Sequence, residues 1–214
     1  MRRSALGSEG LGRQFDEDAE AILGRPLSQT ELVMFTKYLI TLQKWQKSQR
    51  LVGSTSRQWV IDNLFLDSLL FTKVRPIVGQ RVADLGAGAG FPGLPLRIVS
   101  PTMSLTLIEA RRRRTSFLNA VVRELDMADV EVAAERAEVL VARLGSVFDV
   151  VVFRCAGPLE EILGLARAFV RPGGLVVAAG PPQPRALSGV EWVSVERPGG
   201  GTRSFAVSRV PDRD

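Results

Sequence analysis

The chain has 214 residues, 45% hydrophobic and 24% charged, with a net charge of +5 and a pI near 10.1; this excludes fibrous and wholly disordered classes and allows one main domain plus an extension. A single cysteine, Cys155, and no histidine exclude an internal disulfide framework and a cysteine-based zinc cluster, and no metal site is expected. No apolar run reaches the ~18 residues of a membrane span and MRRSALGSEG lacks a signal-peptide core, so a cytoplasmic protein with no membrane partner is expected, and the basic balance favours a polyanionic one.

Residues 1–27 are rich in glycine, serine and charge with little periodicity, which predicts a flexible tail turning into a short helix. At Ser28 the pattern sharpens. Ser28 and Glu31 have capping-box spacing, and Leu32, Phe35, Leu39 and Leu42 recur at helical intervals, predicting a helix over 29–48. Between Lys37 and Arg57 there is no Asp or Glu. The run reads either as a solvated helix face or as a surface that tracks phosphates, with Lys44, Lys47, Arg50 and Arg57 as its contacts. Trp45 and Trp59 are interleaved, and each falls in a segment read as an amphipathic helix, so packing is expected of them before base stacking. A second helix over 57–73 carries Val60, Leu64, Asp67, Leu70 and Phe71, and Arg75-Pro76 ends it. Residues 28–74 thus form a helical extension ahead of a domain spanning 75–214.

That domain is organised around RVADLGAGAGFPGLP, residues 81–95. A short apolar strand ends in Asp84 and passes at once into Gly86, Gly88, Gly90 and Gly93, where the bare backbone lets a ligand approach and the following helix offers unpaired N–H groups. A dinucleotide fingerprint fails here, because Phe91 stands where its third glycine belongs. The turn resembles motif I of the class I S-adenosylmethionine-dependent methyltransferases, an acid followed by G-x-G-x-G. Glu109 closes a second apolar run, Leu105 to Ile108, where a ribose-binding acid belongs in a βαβ unit. Without a ligand the same residues would be only a tight strand-to-helix turn.

Beyond the loop the elements alternate in type. Helix is expected over 94–99, strand over 104–109, helix over 112–126, strand over 129–133, helix over 136–143, strand over 148–153 and helix over 159–170. Arg171-Pro172-Gly173-Gly174 reads as a turn into a strand over 175–179, and the runs 192–195 and 204–210 read as a closing antiparallel pair around a turn at 198–201. This punctuation predicts an α/β fold, an open and mostly parallel seven-stranded sheet with helices on both faces and the N-terminal helical extension.

DLGAGAGFPGLPL at 84–96, LIEARRRRTSFLNAVVREL at 107–125, FLDSLL at 65–70 and RPGG at 171–174 together resemble the bacterial small-subunit (16S) ribosomal RNA guanine-N7 methyltransferase family, also known as glucose-inhibited division protein B. The resemblance runs from Glu31 to Val210 and implies a class I methyltransferase (Rossmann-like) fold, S-adenosylmethionine as cofactor, the small-subunit RNA as partner, and a monomer. It places cofactor contacts on Gly86 and Phe91 in the loop, on Ala137 and Glu138 after the third strand, and on Arg154 after the fourth; Asp84, Gly88 and Gly90 of the turn and Glu109 as the expected ribose acid join them as cofactor-binding candidates. The chain departs from the family pattern at Asp62-Asn63, where an Arg-His pair is usual, at Arg50-Leu51-Val52-Gly53 in place of Asn-Leu-Thr, at Ala179-Gly180 in place of Lys-Gly, and at Cys155-Ala156. Most of these lie on the presumed RNA side. A cofactor-binding homologue without turnover, or a methyltransferase of small molecules, are therefore the alternative readings.

The absence of histidine is compatible with the implied chemistry, because guanine N7 carries a lone pair and no proton, so in-line attack on a sulfonium methyl needs placement and exclusion of water. Arg154, Asp67 and Ser68 are the candidates for orienting the base. Asp67 reads equally as a structural cap, and Arg154 as a partner of Glu138. Arg111, Arg112, Arg113 and Arg114 cannot share one helix face, so some should lie by the cofactor and others, Arg112 and Arg113 among them, toward solvent or RNA. A dinucleotide 2′-phosphate would be repelled by Glu109, so a free ribose is the better match.

Overall fold

The computed structural model describes residues 11–54, 56–154 and 157–212. Seven strands form one sheet: β1 (Arg81–Leu85), β2 (Ser104–Ile108), β3 (Val130–Ala133), β4 (Phe148–Phe153), β5 (Val170–Ala179), β6 (Glu191–Glu196) and β7 (Thr202–Arg209), in the order β3-β2-β1-β4-β5-β7-β6. The first five run parallel, and β7 is antiparallel to both β5 and β6. From β1 the chain winds outward through β2 to β3, then returns across β1 to β4. The direction of winding therefore reverses between β1 and β4, and in open α/β sheets such a reversal opens a crevice at the carboxyl ends of the strands.

Alternation along the central strands gives each sheet face its own core. Val82, Leu105, Leu107, Val150 and Val152 face a layer made of α1 (Arg13–Leu23), α2 (Gln29–Gln46), the helical stretch α3 (Arg57–Val60, π-helical Ile61–Leu66, Asp67–Leu69 and Phe71–Val74), α4 (Gly93–Val99) and α5 (Arg112–Glu124). Ala83, Leu85, Val151, Phe153 and Val176 face α6 (Ala137–Leu144) and α7 (Leu159–Phe169). The extension is thus one side of the sandwich, joined to the sheet by a continuous apolar core. Its centre is aromatic: Phe15 meets Phe35 edge-on at 5.3 Å, and Phe65 lies within 5.3 Å of both Phe35 and Tyr38. Such pairs contribute roughly 0.5–1.5 kcal/mol each beyond their buried area.

The start of α2 is fixed by its sequence. Ser28 Oγ accepts from the Glu31 N–H at 3.2 Å while Glu31 Oε2 accepts from the Ser28 N–H at 2.7 Å, the reciprocal capping box. Arg25 grips the same carboxylate through two nitrogens at 2.7 and 3.0 Å and also donates to the Val99 carbonyl, tying the cap to the end of α4. These contacts hold Glu31 below the usual carboxylate range, although its burial acts the other way.

Two expectations are corrected. The flexible tail expected to turn into a short helix within 1–27 is helix already from Arg13 to Leu23, ended by Gly24 in the left-handed conformation, with Phe15, Ala19 and Ile22 buried; residues 1–10 lie outside the described residues. Its three apolar anchors are spaced at i, i+4 and i+7, a pattern hidden among the five charged residues of RQFDEDAEAIL. The turn expected at 171–174 lies inside β5. Pairing with β4 jumps from Phe148↔Val170 to Val150↔Leu175, so Arg171–Gly174 bulges opposite Asp149.

Candidate active site

The glycine loop follows β1 and Arg154 follows β4, so the winding reversal brings both to one crevice. There Gly86, Ala87, Gly88, Ala89 and Phe91 form one wall of a cleft of about 200 Å³, Arg114 and Arg154 contribute cations, and Leu51, Val52, Gly53, Trp59 and Leu64 of the extension form the opposite side. Gly86 and Gly88 have φ of 70° and 60°, left-handed values that let the backbone double back onto the sheet. Both Gly86 and Ala87 donate to the Ile108 carbonyl at the end of β2.

Asp84 holds the loop from behind. It is fully buried, one carboxylate oxygen accepts from the Gly93 N–H at 2.8 Å, and the other, Oδ1, has no hydrogen-bond partner among the described residues. Burial pushes Asp84 up to about 7; the Gly93 hydrogen bond and Arg154 oppose the rise, and the Glu109 charge adds to it. A Cβ on Gly93 would lie 2.8 Å from Asp84 Oδ2, so the first residue of α4 must lack one for this contact to form. Glu109 holds the loop from the side. Its carboxylate accepts from Gly88 N–H at 3.1 Å, from Arg111 N–H at 2.9 Å and from Arg114 Nη1 at 3.4 Å. Three donors leave about one of its roughly four acceptor positions for a ligand.

The extension supplies a third support. Tyr38, on α2, donates its hydroxyl to the Ala89 carbonyl and stacks on Phe91 at 5.2 Å and 16°. Burial raises the Tyr38 phenol well above its ordinary value, as does the neighbouring Asp84 charge. Phe91 in turn lies under the Arg154 guanidinium, 5.7 Å from ring centre to Cζ, a cation–π arrangement.

Arg154 is oriented from α3. Its Nη1 donates to the Asn63 carbonyl at 2.6 Å and to Asp67 Oδ2 at 3.2 Å. Ile61–Leu66 is π-helical, and such a widened turn leaves carbonyls available to groups outside the helix. Arg197 uses the neighbouring Asp62 carbonyl at 3.4 Å. Asp67 is buried and paired on its other side with Arg203 Nε at 3.2 Å, so one carboxylate lies between two guanidiniums.

The sequence-derived candidates therefore separate. Gly86, Gly88, Phe91 and Arg154 line the cleft, whereas Asp84, Gly90 and Glu109 are buried behind it. Gly90 faces Tyr38 and Leu94, where a Cβ would meet the Tyr38 hydroxyl at 2.8 Å. Ala137 and Glu138 begin α6 and are not among the residues that line the cleft, and Glu138 pairs with Arg136 at 3.5 Å. The alternative pairing of Arg154 with Glu138 is corrected to Asp67, because α3 is the element packed over the end of β4. Ser68 is buried with its hydroxyl on the Leu64 carbonyl at 2.5 Å, so it serves its own helix. Lys44, Lys47, Arg50, Arg57, Arg112 and Arg113 are exposed. Of the four consecutive arginines only Arg114 turns into the cleft. Tyr38, Trp59, Arg114 and Arg203 were not singled out as site residues. Trp45 packs edge-on against Phe117 at 5.7 Å, as expected of a packing residue, while half-buried Trp59 also lines the cleft.

Comparison with known proteins agrees with this geometry. Residues 31–183 match the family model described as GidB, rRNA small subunit methyltransferase G. The chain belongs to the GidB family. Among GidB relatives, a ribosomal RNA small subunit methyltransferase G of Caldanaerobacter subterraneus is 39% identical over 159 residues, covering 73% of this chain and 66% of its own length. One of Sorangium cellulosum is 38% identical over 173 residues, covering 80% and 66%. The chain thus spans just under two thirds of the length of these relatives. A solved S-adenosylmethionine-dependent methyltransferase of Aquifex aeolicus superimposes with a TM-score of 0.54 at 15% identity, covering 70% of this chain and 92% of its own, which shows the class I methyltransferase fold. No helix of the described residues is long and apolar enough to cross a membrane.

Proposed function

We propose that the chain is an S-adenosylmethionine-dependent methyltransferase that modifies N7 of a guanine in small-subunit ribosomal RNA. The observation that carries this reading is the convergence of the glycine loop and Arg154 on one cleft at the sheet's winding reversal, in a chain of the GidB family. The residues present fit the cofactor: a glycine-lined backbone wall and, held against it by the Gly88 N–H, the Glu109 carboxylate with about one acceptor position left over. At about 200 Å³ the cleft takes one part of such a molecule, and Gly86 at its edge is open to solvent. Bound there, the cofactor supplies an electrophilic methyl group on a sulfonium.

This chain's residues then have three tasks. Glu109 orients the ribose, the loop fixes the position of the methyl donor, and Arg154, held by Asn63 and Asp67 above Phe91, presents a cation to an acceptor edge of the base. No group has to take a proton, in keeping with the absence of histidine. Trp59 and Leu64 exclude water from the reacting pair. A small-subunit RNA substrate places the working enzyme in the cytoplasm with the small ribosomal subunit as its partner. Methyl transfer from labelled cofactor is expected on small ribosomal subunits or on bare small-subunit RNA. Cofactor binding with no transfer to either would favour the second reading, a homologue without turnover, which the chain's own Asp62-Asn63 next to Arg154 makes a specific alternative.

A further inference from the structure

A second concavity adjoins the cleft. It is a groove of about 500 Å³ between α2 and the segment that leads into α3, lined by Ile40, Gln43, Lys44, Lys47, Val52 and Val60 among others. Val52 lines both the groove and the cleft. That shared wall is fixed to α2 by Gln46, whose Nε2 donates to the Val52 carbonyl at 2.8 Å and whose Oε1 accepts from the N–H groups of Leu51 and Val52 at 2.7 and 3.1 Å. Ile40 stands at the rim 59% exposed, an unusual position for so large an apolar side chain, while Val60 is buried at the floor. Lys44 and Lys47 are exposed beside it, and no Asp or Glu occurs between Lys37 and Arg57.

We infer that this groove seats an unstacked base of the RNA, that of the nucleotide adjacent to the one in the cleft. The inference rests on the RNA-methyltransferase reading and names a second contact for the same substrate. A base has apolar faces, polar edges and a phosphate on either side; the groove offers Ile40, Val52 and Val60 to the faces, Gln43 to an edge and the two lysines to the phosphates. The local charge favours a nucleic acid over an acidic-residue-poor or basic peptide, and the volume lies within the roughly 300–1,000 Å³ of ligand pockets. Because the groove and cleft share Val52, one strand can occupy both without leaving the surface.

The test compares a short oligoadenylate with an abasic ribose-phosphate strand of equal length and charge. Wild type is expected to bind the base-bearing strand about tenfold more tightly. Ile40→Asn removes an exposed side chain and adds no charge, so it should bind the abasic strand as wild type does and lose most of the preference. Lys44→Gln with Lys47→Gln should weaken both strands alike, with cofactor affinity unchanged in every variant as the control for folding. Equal binding of the two strands by wild type, or a preference that survives Ile40→Asn, overturns the groove's role alone. Binding of neither strand by wild type overturns the RNA reading together with it.

Discussion

Tyr38 and Phe91 stack at 5.2 Å, nearly parallel, and the Tyr38 hydroxyl donates to the Ala89 carbonyl within the glycine loop. The helical extension therefore supports the wall of the candidate site. Tyr38→Phe keeps the stack and leaves a buried carbonyl without its donor, a loss of roughly 1–3 kcal/mol. Both the urea midpoint and the cofactor affinity, measured by calorimetry, should fall. Normal affinity with a lowered midpoint would confine Tyr38 to a packing role.

Asp84 predicts a pH dependence. Its pKa is raised by burial from 3.8 to about 7 in the folded protein, so between about pH 4 and 7 the folded state keeps a proton that the unfolded chain has released. Stability conferred by the group is present below the unfolded value and is lost as pH rises, by at most ~1.4 kcal/mol per pH unit, levelling off above about 7. Asp84→Asn retains an acceptor for the Gly93 N–H and does not titrate. Its stability relative to wild type should therefore improve as pH rises from about 4 to 7 and then level off, read as the difference in urea midpoints; a constant difference would place the ionisation elsewhere.

The glycines of the loop should separate by mechanism. A bulky residue at exposed Gly86 projects from the cleft's edge, so it should abolish cofactor binding at little cost to folding beyond the ~1–2 kcal/mol of a left-handed side-chain conformation. Gly93→Ala forces a Cβ within 2.8 Å of Asp84 Oδ2, and overpacking of this kind costs about 1–3 kcal/mol. Thermal unfolding and cofactor titration of the two variants should rank them in opposite orders. Glu109→Gln should weaken the cofactor more gently, by about ten- to a hundredfold.

Arg203 tests the support of Arg154. Arg203→Ala leaves buried Asp67 with Arg154 as the remaining arginine of the two, so the loss of stability should stay below the about 3–5 kcal/mol of a buried charge left with no partner. If the role is positioning, Arg203→Lys should restore most of the stability, while kcat for methyl transfer falls more than KM rises in the alanine variant. A stability loss with unchanged kinetics would make the pair purely structural.

The alternation of strand and helix from Arg81 onward was legible in the sequence because the strands are short apolar runs, several of them closed by a glycine or an acid, as β1 is by Gly86, β2 by Glu109 and β5 by Gly180, and the Ser28–Glu31 cap is local. So was the acid-and-glycine turn. What was hidden depends on distance along the chain. Tyr38 meets Ala89 and Arg203 meets Asp67 only after the sheet has formed, and no pattern within either segment announces the meeting. The π-helical turn at Ile61–Leu66 is likewise invisible to a periodicity search, since its apolar positions also suit an ordinary helix. Asp84 and Glu109 were found as residues, but their burial and their hold on the loop backbone came from packing: Gly93 and Gly88 had to close over them.

How RNA is held yields the last prediction. Lys44 and Lys47 are exposed on α2 beside the groove, in a stretch without acids. Each phosphate that a basic side chain contacts releases counterions, with a log–log salt slope of about −0.7 per contact on a single strand. Lys44→Glu with Lys47→Glu should therefore make RNA binding less steeply dependent on salt, by roughly one unit or slightly more if both lysines touch the backbone. Cofactor affinity should stay at the wild-type value, because neither lysine lines the cleft. A salt titration of RNA binding for wild type and the double variant, with cofactor binding measured in parallel, decides the matter: coincident slopes would identify this stretch as a solvated helix face and move the RNA path toward Arg112 and Arg113.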